Sequence, residues 1–97
     1  MALVADAAWT TRSGVRSLRV TPTPAGRAPG ADAAVVWAQL LARQPDADTP
    51  GMRDQLTCHV RFASAKAAWY LEPARPAVGY AATVAAGCNP GDVTDGG

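Results

Sequence analysis

Cys58 and Cys88 are the only cysteines in the chain, and no CxxC pair is present. Cys58 sits in the stretch Gln55 to Ala63, QLTCHVRFA, next to the single histidine, His59. It has three possible fates: nucleophile with His59 as base, metal ligand, or one end of a cystine. Leu56, Cys58, Val60 and Phe62 alternate with Thr57, His59 and Arg61, the pattern of a half-buried strand with the first set facing inward. Neighbours in a strand point to opposite faces. A nucleophile needs its base within hydrogen-bond reach, so this pattern separates Cys58 from His59 and leaves His59 on the solvent side. There is no second histidine, and only Ser13, Ser17 and Ser64 could serve a serine mechanism. Two cysteines, one histidine and scattered aspartates also lack the paired spacing of structural zinc. The remaining reading joins Cys58 to Cys88. That bridge closes a loop of about 31 residues and adds roughly 3 to 4 kcal/mol on the chain-entropy model, a large share of the about 5 to 15 kcal/mol that holds a typical domain. A structural cystine implies an oxidising compartment, hence secretion.

The staple matters because the interior is thin. A chain of 97 residues is one domain, able to hide somewhat over ~60% of its unfolded surface. The composition, 48% hydrophobic and 18% charged, is globular, but alanine supplies much of the apolar share. Core volume therefore falls to Trp9, Trp37, Trp69, Phe62, Tyr70 and Tyr80 with the leucines and valines around them. A net charge of +1 with dispersed arginines argues against nucleic acid or an anionic membrane as partner. No apolar run approaches the roughly 18 residues that span a bilayer. No cofactor or metal is expected, and no enzymatic activity. The opening MALVADAA is too short for a signal peptide, although Ala5-Asp6-Ala7 resembles a cleavage site, as in a mature chain with an added Met. Residues 1–7 and 89–97 read as frayed tails.

Along the chain, Trp9 to Arg12 and Val15 to Val20 flank Ser13-Gly14 and predict a hairpin. Pro22 and Pro24 stop it, and a Pro/Gly loop runs to Gly30. Ala33, Val36, Trp37, Leu40 and Leu41 form the stripe of an amphipathic helix, capped by Asp32 or Gly30 and ended by Pro45. The stretch PDADTPGMRD reads as an exposed loop. Ala67 to Glu72 reads as a further strand, and Ala77 to Cys88 as either an alanine-rich helix, weakened by Gly79 and Gly87, or a last strand, the helix being preferred. The expected fold is α+β: an antiparallel sheet of four to five strands with one or two helices on one face and one disulfide. A homodimer through the open sheet face is also expected.

Two resemblances follow. VTPTPAGRAP keeps Pro22, Pro24, Gly26 and Pro29 where the Streptomyces subtilisin inhibitor-like family has the prolines and glycine of a rigid loop, and Val20 and Val35 replace that family's first cystine. From Ser17 to Cys88 the chain thus resembles these small secreted serine-protease inhibitors, whose second cystine has the spacing of Cys58 to Cys88. The resemblance implies an extended reactive loop that docks like a substrate strand, made of His59, Val60 and Arg61, with Val60 before the scissile bond and Arg61 after it. Its partner would be a secreted serine protease. Met52 and Arg53 are an alternative exposed anchor. The second half, CHVRFASAKAAWYLEPARP onward, resembles an uncharacterised domain of small secreted actinobacterial proteins. Its Leu-Glu-Pro-x-Arg-Pro signature implies either a turn-forming ion pair or a recognition cluster of Trp69, Tyr70, Glu72 and Arg75, the second of which would make the chain a binding module.

Overall fold

The computed structural model describes residues 1–91. In chain order its elements are β1 (Val4–Arg12), β2 (Val15–Pro22), α1 (Ala33–Arg43), α2 (Met52–Phe62), β3 (Trp69–Leu71) and α3 (Tyr80–Ala85), with a 3-10 turn at Pro45–Ala47. The α+β class holds, with three strands among the described residues, in the order β1-β2-β3, not four or five. There are three α-helices among the described residues, where one or two were expected.

The hairpin turns at Ser13 and Gly14, whose φ of 50° and 77° are the positive values of the two-residue turn that matches strand twist. Strand β1 begins earlier than its apolar pattern suggests, so residues 1–7 are not a frayed tail. Leu3 and Val4 are buried, and the Gln39 side-chain oxygen accepts from both of their N–H groups, at 2.7 and 3.3 Å. In the second expected tail Asn89 to Gly91 are described and Pro90 is buried, while residues 92–97 lie outside the described residues.

Trp9 pairs with Leu18 and Ala7 with Val20 across the hairpin, and Leu18 and Val20 pair onward with Leu71 and Trp69. Side chains directly opposite share a face, so these six form one layer. Val36, Trp37 and Leu40 of α1 and Met52, Leu56 and Val60 of α2 pack with it as the core. The other face carries Ala8, Thr10, Arg12, Ser17, Arg19 and Tyr70. There the Arg12 guanidinium lies 3.7 Å from the Tyr70 ring centre, and Arg19 meets Asp6 at 3.7 Å.

Helix α1 matches its apolar stripe. Asp32 caps it by accepting from the Ala34 N–H at 2.9 Å, and it stops at Arg43, two residues before Pro45. Helix α2 is the main departure, because residues 52–62 are not a strand. Its buried set is Met52, Gln55, Leu56, Cys58, His59 and Val60; all but Cys58 follow i, i+3, i+4, i+7, i+8. Two members of that stripe, Gln55 and His59, are polar, so apolarity alone shows only the alternation of Leu56, Cys58, Val60 and Phe62. His59 is consequently interior and Phe62 is 66% exposed, both the reverse of the strand reading. Met52 is fully buried, not an exposed anchor, while Arg53 is exposed.

Every member of the hydrophobic core cluster precedes residue 72. The segment from Glu72 to Gly91 is fastened by polar contacts and the cystine instead. Only its six-residue α3 is helical.

Candidate binding cleft

The cystine forms as expected: Cys58 in α2 is bonded to Cys88, with Cα atoms 5.5 Å apart. Cys88 follows Gly87 in the left-handed region, φ 70° and 65°, and its N–H donates to the Thr83 carbonyl at 2.9 Å. The end of α3 is thus closed just where the sulfur reaches α2.

Beside the bridge lies a buried polar network. The Gln55 amide nitrogen donates to the Glu72 carbonyl and its oxygen accepts from the Glu72 N–H, each at 2.9 Å. A single side chain therefore treats Glu72 as a neighbouring strand would. Glu72 Oε1 accepts from Arg75 Nη2 at 2.9 Å with both side chains 0% exposed, and Arg75 Nη1 donates to the Pro90 carbonyl at 3.4 Å. His59 Nδ1 sits 2.7 Å from the Gln55 carbonyl. A carbonyl can only accept, so this nitrogen carries the proton.

These contacts place the residues of the expected recognition cluster. Trp69 is in the core, its indole N–H donating to the Ala63 carbonyl at 3.0 Å. Tyr70 lies on the opposite sheet face under Arg12. Glu72 and Arg75 are interior. The four do not make a surface patch, and the Leu-Glu-Pro-x-Arg-Pro signature is accounted for as an internal clasp.

The expected reactive loop also changes character. His59 is enclosed, Val60 contributes to the core and Arg61 is exposed. All three are helical, so this segment offers no extended backbone for a protease to bind as substrate.

Val60 and Arg61 nevertheless come together with the Pro/Gly loop. Ala28, Pro29, Gly30 and Ala31 on one side and Val60, Arg61 and Ser64 on the other line a cleft of about 530 Å³, within the size range of small-ligand sites. The loop wall is held in place. Arg27 donates to the Ala67 carbonyl at 2.7 Å and to the Lys66 carbonyl at 3.3 Å. Thr23 Oγ1 donates to the Ala2 carbonyl and accepts from the Gly26 N–H. Gly26 passes so close to the residue before β1 that a Cβ there would collide with the Leu3 carbonyl oxygen. The small apolar residues Ala28, Pro29, Ala31 and Val60 share the lining with the polar residues Arg61 and Ser64. The Arg61 guanidinium also stands 5.6 Å from the Tyr80 ring centre. Arginine presents a planar fork suited to carboxylate or phosphate. Among the described residues no group of three or more His, Cys, Asp or Glu is placed to hold a metal. The four loop residues carry no chemistry of their own, so only their fixed position reveals them.

The fold and its clasp define a small cystine-closed α+β domain. Residues 4–91 match the family described as protein of unknown function DUF2599, and the chain belongs to that family. It is 42% identical over 98 residues to uncharacterized proteins of Mycobacterium bovis and Mycobacterium tuberculosis, covering 92% of this chain and 66% of each relative. The chain thus spans just under two thirds of those relatives. An uncharacterized protein of Mycobacterium leprae is 42% identical over 59 residues, covering 57% of this chain and 48% of its own length. No solved structure matches the chain. The uncharacterised-domain resemblance is thereby supported; nothing in the comparisons supports the subtilisin inhibitor family.

Proposed function

We propose that the chain is an exported, non-enzymatic binding module whose cleft between residues 28–31 and the end of α2 takes a small ligand or chain terminus bearing an anionic group. The observation that carries this reading is the pinned cleft itself, whose lining combines small apolar residues with Arg61 and Ser64. Export is supported by the buried cystine, since such bonds persist mainly outside reducing compartments. A secreted serine protease is the partner that the inhibitor resemblance implies. With residues 59–61 in helical backbone, substrate-like docking there has no physical basis. Stoichiometric protein is expected to leave subtilisin, trypsin and elastase fully active.

The cleft is tested by NMR titration of the oxidised protein with N-acetyl-Ala-Ala bearing a free carboxylate, its amidated counterpart, and inorganic phosphate. The carboxylate peptide is expected to shift the amides of Ala28, Gly30, Ala31, Arg61 and Ser64, and the amidated peptide to do so far less. A charge-assisted hydrogen bond contributes about 1.5 to 3 kcal/mol, so Arg61→Gln should weaken binding roughly ten- to a hundredfold. Phosphate acting alone would mark the site as one for free anions. Equal response to charged and amidated peptides, or an unchanged Arg61→Gln, would remove the reading.

A further inference from the structure

We propose that the outer edge of β1 from Trp9 to Thr11 is a strand-addition site for an extended, acidic segment of a partner protein. The edge is defined by which backbone groups remain open. A two-residue turn makes Arg12 and Val15 the hydrogen-bonded pair that closes the hairpin, and bonded pairs alternate along an antiparallel ladder. With the observed register, Ala8, Thr10 and Arg12 face β2, while Ala7, Trp9 and Thr11 turn their N–H and C=O groups outward. The contacts of α1 and its C-cap agree with this parity: Gln44, the cap, donates to the Ala7 carbonyl at 2.8 Å, and beyond the bulge near Ala5 Arg43 donates to the Val4 carbonyl at 3.2 Å. Helix α1 thus closes the edge from Leu3 to the Ala7 carbonyl and no further.

The opposite edge of the sheet is shut more completely. By the same alternation Tyr70 and Glu72 face outward from β3, and Gln55 occupies both backbone groups of Glu72. That leaves one residue there, against two successive outward-facing residues, Trp9 and Thr11, on β1. An incoming strand can form four main-chain hydrogen bonds with Trp9 and Thr11 without displacing Gln44.

The occupant follows from charge. The Arg16 guanidinium stacks 3.7 Å from the Trp9 ring centre, and Arg12 is held at the same distance from Tyr70. The register puts Arg16 on the same sheet face as Trp9, so a strand laid along the edge meets the Arg16 guanidinium there, while Arg12 reaches back across β2 to Tyr70. Between Asp6 and Asp32 the chain has Arg12, Arg16, Arg19 and Arg27 and no acidic residue. A second copy of β1 brings few carboxylates to this edge, whereas alternating glutamates complement it.

The test uses the full oxidised chain and a capped heptapeptide of alternating glutamate and threonine, with a lysine-threonine peptide as control. Amide exchange at Trp9 and Thr11 is expected to slow at least tenfold with the acidic peptide, and NMR shifts to centre on Trp9 to Thr11. Thr11→Pro deletes an outward donor while sparing the β1–β2 ladder, and should weaken binding at least tenfold with the thermal midpoint little changed. Arg16→Glu should weaken it similarly, and serves as the measurement if the proline variant fails to fold. Shifts confined to arginine side chains with unchanged amide exchange would overturn the proposal. So would equal binding of the lysine peptide, or protection of the same amides by self-association without any peptide.

Discussion

Arg75 and Glu72 are enclosed together, and the cost of enclosing them shows only when one is removed. Truncating one partner of a buried pair leaves the other charge without compensation and destabilises by about 3 to 5 kcal/mol, whereas an apolar pair of similar volume is often near neutral. Urea unfolding should therefore show Arg75→Ala losing about 3 to 5 kcal/mol, with the double variant Glu72→Leu/Arg75→Met recovering most of it. If both variants lose the same amount, the contacts of Arg75 with the C-terminal segment outweigh its contact with Glu72. His59 and Gln55 follow the same rule that buried polar groups must be bonded. Each has found a backbone partner within or beside α2.

At the level of elements, the helices do more than cover a sheet. Gln39 of α1, its C-cap Gln44 and Gln55 of α2 place amides against backbone groups at the two edges of the sheet, supplying bonds that a further strand would otherwise make. The described residues hold fewer strands than the pattern suggested because residues 52–62, one of the expected strands, are helical. Helix α2 also shows how much could be read in advance. The hairpin and α1 were legible because turn chemistry, capping and an unbroken apolar stripe agreed. In α2 the inner stripe is interrupted by Gln55 and His59, and a chance alternation of period two took its place. The cleft was legible only in halves. Pro29 and Gly30 stood out as a rigid loop, and Val60 and Arg61 as a candidate site, but their meeting is a tertiary fact. The helical assignment predicts opposite fates for two residues that the strand reading put on one face. Phe62→Ser should change stability by no more than about 0.5 kcal/mol, as for other surface positions. Leu56→Ala, in contrast, should cost about 2 to 5 kcal/mol. Thermal or urea unfolding of the pair checks both.

For the molecule as a whole, the hydrophobic core cluster ends at Leu71, and residues 72–91 are clasped onto it. The cystine spans 30 positions, so removing it with Cys58→Ala/Cys88→Ala should cost roughly 3 to 4 kcal/mol on the chain-entropy model. The loss should also be uneven. Hydrogen exchange is expected to show Thr83 to Cys88 losing protection first while the hairpin amides stay slow, because regions with few apolar contacts open before the core. Uniform loss across the chain would mean that the clasp and the core form one cooperative unit.

That arrangement affects how the sulfurs find each other. Residues 72–91 lie against a surface shaped by the large side chains, and their Glu72 and Arg75 give them one place to rest. Two thiols allow a single pairing, so the chain requires of its surroundings an electron acceptor but no enzyme to sort right bonds from wrong ones.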